Sequence, residues 1–188
     1  MSERFDILNT RLAGLYAIQR KPLGDQRGYL ERLFCQDEMQ SIFGARRIVQ
    51  INHTLTRKKG AIRGLHYQHP PYAEGKLISC LRGEVFDVAV DLRKKSPTFL
   101  RWYDEILSDK NHRSLFIPEG FSHGFQTLTN DCEMLYFHTQ IYHAEAESGL
   151  NALDPELAIA WPLAVTEQSV RDQQHPLIDQ STFQGLVL

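Results

Sequence analysis

The chain lacks the marks of several large functional classes. It has three cysteines in 188 residues, Cys35, Cys80 and Cys132. An odd count without CxxC spacing excludes a disulfide framework or a zinc ribbon, and the expectation is reduced, buried thiols. The formal net charge of −2 argues against a nucleic-acid-binding or membrane-surface protein, because both draw on a cationic excess. No apolar run reaches the ~18 residues of a membrane helix. The opening MSERFDILNT holds no apolar core of signal-peptide length, so the expected location is the cytoplasm. GxGxxG and GxxxxGK[ST] are absent, which leaves no Rossmann cofactor or P-loop to expect. There is no GxSxG elbow and no HExxH helix.

Helix signals are also few. Asp37–Phe43 reads as a short helix with Asp37 as N-cap and Gly44 as the stop, and Ala144–Gly149 reads as one more helical turn. What is abundant is turn chemistry. Gly24–Gly28, Arg57–Gly60, Arg82-Gly83, Lys94–Pro97, Ser108–Asn111, Pro118–Gly120 and Thr129–Asp131 punctuate runs rich in β-branched and aromatic residues, about every ten residues. That rhythm predicts an all-β sandwich or barrel, as one domain over residues 1–188. Glu84–Leu92 shows the strand period most clearly, with Phe86, Val88, Val90 and Leu92 on one face and Val85, Asp87, Ala89 and Asp91 on the other. The polar tail after Trp161-Pro162 is expected to lie over a sheet.

The polar groups suited to chemistry are scattered over these strands: Arg63, His66, Lys76, Asp87, His123, Tyr136, His138 and Tyr142. Singly, each is ordinary, since a lone strand histidine is usually structural and a lone arginine usually solvated. Strict alternation sets Arg63 and His66 on opposite faces, and a bulge at Gly64 would bring them together. Tyr136 and His138 share one face.

Their order along the chain is more informative. Asp25-Gln26-Arg27-Gly28, Gln50-Ile51-Asn52-His53, Arg63-Gly64-Leu65-His66, Lys76–Cys80, Gly83–Arg93, Ser96-Pro97-Thr98-Phe99, Ile117–Phe125, Tyr136–Tyr142, Asp154-Pro155-Glu156-Leu157, Trp161-Pro162 and Ser169-Val170-Arg171-Asp172 follow one another from about residue 12 to about residue 177. This series resembles the dTDP-4-dehydrorhamnose 3,5-epimerase family. The resemblance implies a dimeric, cupin-like jelly-roll β-barrel with a polar interior cavity. Cupins often hold a metal through an HxH pair, a Glu and a later His. Here the stretch reads His66-Tyr67-Gln68-His69 without the Glu, and Lys76 is expected in the same cavity, where its charge would repel a cation. No catalytic metal or other cofactor is therefore expected.

The family acts on a nucleotide-linked 4-keto-6-deoxyhexose. The keto group acidifies the C3 and C5 protons, so inversion needs a base on one face, an acid on the other and positive charge at O4. By the resemblance His66 is the base, its ordinary pKa near 6.5 suiting neutral pH, and Asp172 orients its ring. Tyr136 is the acid, and Lys76 stabilises the oxyanion. Arg63 and His123 hold the sugar and diphosphate, Gln50 and Asn52 add hydrogen bonds, and Tyr142 stacks on the base. Arg27 and Glu31 come from an N-terminal segment that in the family reaches the neighbouring subunit's nucleotide.

That segment departs from the family's RG-x-F-x-E. Leu30 stands for the aromatic residue, Arg32 for the Glu, and Glu31 lies one place early, facing the other way on a regular strand. The nucleotide therefore stays open among dTDP, CDP and GDP. The principal reading implied by the resemblance is a cofactor-independent epimerase at C3, C5 or both, with dTDP-4-dehydro-6-deoxy-D-glucose to dTDP-4-dehydro-L-rhamnose as the expected conversion. Its alternatives are a single-centre epimerase, a 3,4-ketoisomerase, a metal-dependent cupin oxygenase and a non-catalytic sugar-binding cupin.

Overall fold

The computed structural model describes residues 4–188. Strands β1 (Phe5–Asn9), β2 (Tyr16–Arg20), β3 (Leu23–Asp25) and β4 (Gly28–Leu30) precede a short helix α1 (Gln40–Phe43). Then follow β5 (Gln50–Thr56), β6 (Ile62–Gln68), β7 (Lys76–Arg82), β8 (Glu84–Asp91), β9 (Trp102–Ser108), β10 (Arg113–Ile117), β11 (Phe121–Thr127), β12 (Cys132–His138), β13 (Glu147–Gly149) and α2 (Val170–Gln173). A six-stranded sheet in the order β1-β2-β10-β7-β12-β5 faces a five-stranded sheet in the order β13-β6-β11-β8-β9, while β3 and β4 form a separate hairpin. All strand pairings in the two sheets are antiparallel. This is the all-β sandwich that the strand rhythm predicts, in the cupin-like jelly-roll form that the family resemblance implies.

β8 shows why the sheets sandwich as they do. Val85 and Ala89 join Ile78, Leu115, Phe125 and Met134 in the core between the sheets. Phe86, Val88, Val90 and Leu92 belong to a second cluster with Leu150, Leu157 and Trp161 and, from the tail, Ile178, Phe183 and Leu186. Both faces of the strand are dry, each large apolar side chain contributing roughly 1.5–3 kcal/mol by burial. The tail thus covers the five-stranded sheet, as expected. It is fastened by hydrogen bonds to its backbone from side chains and from the edge of β6. Gln126 donates to the Leu163 carbonyl at 2.9 Å and accepts from the Leu163 N–H at 3.0 Å. Trp161 Nε1 donates to Ala152 O at 2.7 Å, and Ile62 N to Glu167 O at 2.9 Å. On the far side of the molecule, Phe34, Met39, Ile42 and Phe43 cover the outer face of the six-stranded sheet against Ile18, Leu77 and Phe116.

The two helix expectations need correction. The first helix begins at Gln40, behind consecutive turns at 36–39, and its N-cap is Met39 without a side-chain bond. Asp37 spends its carbonyl on the Gln40 N–H, so it belongs to the turn and not to the cap. Gly44, at φ 58°, does end the helix. At Ala144–Gly149 only 144–146 turn, and Glu147–Gly149 become β13, which pairs with β6. The edge of β6 offers unpaired backbone groups there, and satisfying them outweighs local helix preference. The tail helix α2 was not expected. Ser169 caps it by accepting from Asp172 N at 3.0 Å.

Candidate active site

The barrel's polar end holds a cavity of about 390 Å³. Alternation aims the walls. From the six-stranded sheet, β5 contributes Gln50, Asn52 and Thr54, β7 contributes Lys76, and β12 contributes Tyr136 and His138. From the five-stranded sheet, β6 contributes Arg63 and His66, and β11 contributes His123. Tyr142, Glu147 and Arg171 stand at the mouth.

Arg63 and His66 share the cavity because β6 bulges. His123 pairs with His66 and Phe125 with Arg63, so β6 has one more residue than β11 across that interval. The bulge needs glycine. Gly64 has φ 116°, and a Cβ there would stand 2.6 Å from Gly124 Cα and from His123 O.

His66 and Asp172 form a close pair. His66 Nε2 donates to Asp172 Oδ1 at 2.8 Å, and the Gly64 N–H donates to Asp172 Oδ2 at 3.2 Å. Burial alone would raise the Asp172 carboxyl. The His66 bond and charge, with the Gly64 and Ser169 contacts, outweigh it and hold the group down to about 2. An ionised Asp172 fixes the proton of neutral His66 on Nε2, which leaves the Nδ1 lone pair to accept another. The ring of His175 packs edge-on against His66, with centroids 5.7 Å apart.

The opposite wall carries a continuous hydrogen-bonded chain. Gln50 Nε2 donates to Asn52 Oδ1 at 3.2 Å, Asn52 Nδ2 to His138 Nε2 at 3.3 Å, and His138 Nδ1 to Glu74 Oε2 at 2.8 Å. Glu74 Oε1 then meets Lys76 Nζ at 2.9 Å. Burial opposes the Glu74 charge, yet His138 and Lys76 hold its carboxyl below the usual range. Lys76 is therefore anchored through one donor, with two remaining for a ligand. Tyr136 lies beside this chain. Burial pushes its phenol up, and the Asp87 charge pushes the same way, so it stays protonated at neutral pH. A second histidine–carboxylate pair stands behind it: His123 Nε2 donates to Asp87 Oδ2 at 2.9 Å. Asp87 is fully buried, and burial raises its carboxyl against the influence of His123 and Lys76.

Of the residues proposed from sequence, Gln50, Asn52, Arg63, His66, Lys76, His123, Tyr136 and Tyr142 line this one cavity, and Asp172 backs His66. Arg27 and Glu31 do not reach it. Arg27 is 90% exposed on the β3–β4 hairpin and pairs with Asp25 at 2.5 Å. Glu31 binds Arg20 at 3.1 Å and His112 at 2.8 Å, because the buried Arg20 guanidinium needs a carboxylate. Arg32 pairs with Glu38.

Sequence reasoning missed Glu74, Glu147, Arg171 and His175 as neighbours of the site. Glu147 is the hub at the mouth, accepting from Tyr142 Oη and from Arg171 Nη1, both at 2.7 Å. Arg171 stood in the quoted Ser169–Asp172 string, so its neighbourhood to Asp172 was a usable signal. Glu74 and Glu147 lie in irregular or edge segments without periodicity. Among the described residues, one group has metal-ligand spacing: His66, Asp172 and His175.

An imidazole oriented by a carboxylate on one wall and a phenol with an anchored ammonium on the other can abstract, stabilise and return a proton across a bound carbon acid. The comparisons agree with that chemistry. The family model described as dTDP-4-dehydrorhamnose 3,5-epimerase matches residues 9–180. The dTDP-4-dehydrorhamnose 3,5-epimerase of Salmonella typhimurium is 41% identical over 177 residues, covering 93% of this chain and 96% of its own. The crystal structure of dTDP-6-deoxy-D-glucose-3,5-epimerase from Legionella pneumophila, in complex with dTDP-4-keto-L-rhamnose, superposes with a TM-score of 0.90 at 41% identity, covering 98% of this chain and all of that one. A 3'-monoepimerase from Streptomyces bikiniensis, in complex with dTDP-quinovose, superposes at 0.85 with 30% identity, covering 90% and 86%.

Proposed function

The chain belongs to the dTDP-4-dehydrorhamnose 3,5-epimerase family, and we propose that it converts dTDP-4-dehydro-6-deoxy-D-glucose to dTDP-4-dehydro-L-rhamnose by the route that follows. His66 Nδ1 removes the proton at C5 or C3, and Asp172 steadies the imidazolium that forms. The enolate oxygen at O4 takes the free donors of Lys76, whose charge Glu74 holds in place. The Tyr136 hydroxyl delivers a proton to the opposite face and is reloaded from solvent, while the His66 imidazolium gives its proton to solvent and regains its lone pair. Repeating the cycle at the other carbon inverts the second centre. Every step uses this chain's own acids, bases and cations, so turnover is expected to persist in a chelator.

One observation carries the reading: base and acid stand on facing sheets, His66 on β6 and Tyr136 on β12, with one cavity between them. Inversion requires proton removal and return on opposite faces of a planar enolate. At the mouth, Arg63 and Arg171 are placed for the diphosphate, and Tyr142 offers a ring face to the base. A homodimer fits the β3–β4 hairpin, which exposes Tyr29 and Leu30 at 62% and 66% and projects Arg27 outward. Glu31 and Arg32 are engaged with Arg20, His112 and Glu38, while the outward-facing Arg27, paired to Asp25 of its own hairpin, and Tyr29 are the hairpin groups exposed to a neighbour's nucleotide. Three free thiols, two of them buried, fit the reducing cytoplasm, and no helix among the described residues is long and apolar enough to cross a membrane.

The test is incubation of dTDP-4-dehydro-6-deoxy-D-glucose with the protein in D2O, read by NMR. Deuterium at both C3 and C5 of an L-configured product is expected. Uptake at one carbon alone would place the chain with single-centre enzymes such as the Streptomyces bikiniensis relative. No uptake at either would reject the epimerase reading.

A further inference from the structure

We propose that the groups behind His66 form a binding site for a zinc-type divalent cation, and that its occupation switches the base off. His66 Nε2, Asp172 Oδ1 and His175 Nε2 lie within 4.8 Å of one another. Two imidazole nitrogens and one carboxylate oxygen are a common ligand set for a zinc site with an open fourth position. Tetrahedral zinc with bonds of about 2.0–2.1 Å spaces its ligands about 3.4 Å apart. Asp172 Oδ1 is 2.8 Å from His66 Nε2 and 3.9 Å from His175 Nε2, so the two separations straddle that value. The third separation, between the two imidazoles, is bounded only at 4.8 Å, so binding an ion calls for the His175 ring to turn toward His66.

His175 is the independent observation. Its Nε2 is buried and has no hydrogen-bond partner, and the route above makes no use of it. A buried, unpaired ring nitrogen costs about 1–3 kcal/mol unless something occupies it. The ring is admitted by Gly149, where a Cβ would stand 2.3 Å from Nε2. Asp172 and His175 lie three residues apart at the end of α2, so one turn of chain presents both. The charge opposing a cation is Arg171, whose Nη2 is 3.5 Å from His66 Nε2. That guanidinium is half-exposed and bound to Glu147 at its other nitrogen. Asp172 and Glu147 therefore offset it, and it can swing aside without losing its carboxylate.

The consequence follows from the tautomer. As a base, His66 carries its proton on Nε2 and its lone pair on Nδ1. A cation on Nε2 uses the lone pair there, so the ring's single proton moves to Nδ1. No lone pair then faces the sugar. The ion takes the place of the proton that His66 and Asp172 share, and catalysis and metal binding exclude each other. Binding itself does not depend on the epimerase reading. The inhibition rests on His66 being the base.

The experiment uses chelator-treated, intact protein. Zn²⁺ is titrated against a chromophoric chelator, Co²⁺ is added separately to read coordination from its visible absorption, and epimerisation is followed in parallel. One ion per chain, a four-coordinate Co²⁺ spectrum and loss of turnover in step with occupancy, reversed by EDTA, are expected. His175→Phe keeps a ring against His66 and removes the ligand. It should weaken zinc by more than the about 10–100-fold that losing even an outer partner costs, while metal-free turnover stays within about twofold of wild type. His175→Gln serves if the Phe variant does not fold. Equal zinc uptake by wild type and variants, or no one-per-chain binding, overturns the site. Stoichiometric binding lost in the variants, with undiminished turnover when occupied, overturns the inhibition and with it His66 as the base.

Discussion

Asp172→Asn tests how the sheet and the tail cooperate on one proton. The carboxylate accepts twice, from His66 Nε2 at 2.8 Å and from Gly64 N at 3.2 Å. An amide of the same shape accepts through only one atom. If its oxygen faces His66, its NH₂ meets the Gly64 N–H, donor against donor. If it turns, the NH₂ donates to His66 Nε2, the ring proton moves to Nδ1, and the base loses its lone pair. Neither rotamer preserves the site. The carboxyl is held at about 2 against an ordinary 3.8, a preference for the ionised form of roughly 2 kcal/mol. The comparable change in a serine-protease triad costs about 10⁴ in kcat, chiefly through the wrong tautomer, and loss of a positioned base typically costs 10²–10⁴. We expect kcat and deuterium uptake to fall together by about 10²–10⁴, with dTDP affinity within about threefold of wild type, measured by NMR and calorimetry. The stability signature has a definite sign. A folded-state pKa below the unfolded value stabilises above pH ~4, and that contribution is lost as pH falls toward 2. The gap in unfolding free energy between wild type and Asp172→Asn should therefore close over that window. A variant that keeps more than about a fifth of wild-type kcat would refute the tautomer argument.

Gly64→Ala should destabilise the fold by at least about 3 kcal/mol, since it combines a left-handed φ with two backbone clashes at 2.6 Å; an unchanged thermal midpoint would remove the bulge from the account. Lys76→Met should leave dTDP affinity near wild type and lower kcat by about 10²–10³, as for loss of one oxyanion donor, and steady-state kinetics with near-normal kcat would assign Lys76 to structure alone. Light scattering should find a dimer at micromolar concentration, and replacing Tyr29 and Leu30 together by Ser should raise KM more than it lowers kcat. A fully active monomer would contradict the hairpin's role.

The strand rhythm and the two faces of β8 were legible because burial imposes a period of two on both sheets. Tyr136 and His138 could be placed on one face for the same reason. Arg63 and His66 required a bulge that alternation cannot supply, and the pointer was Gly64. Long-range partners left no local trace. Asp172 reaches His66 across more than a hundred positions because the tail is laid along β6 by Gln126 and Glu167. That pairing came from family resemblance and not from spacing. Glu31's engagement with Arg20 was not legible, because Arg20 is buried only once the barrel has closed. Short helices were the least legible, since four-residue segments are decided by caps and packing and not by propensity.

The most direct test of opposite-face proton transfer is Tyr136→Phe in D2O, with deuterium uptake and inversion read by NMR on the same sample. The substitution removes one hydroxyl and keeps the ring beside His123 and His138, at 6.1 Å from each. His66 can still take a proton and exchange it with solvent, but the far face of the enolate then lacks its acid. Uptake into unreacted substrate, with inversion reduced by at least about 10², is the predicted result. Inversion within about twofold of wild type would show that the second proton comes from elsewhere and would contradict the two-wall mechanism.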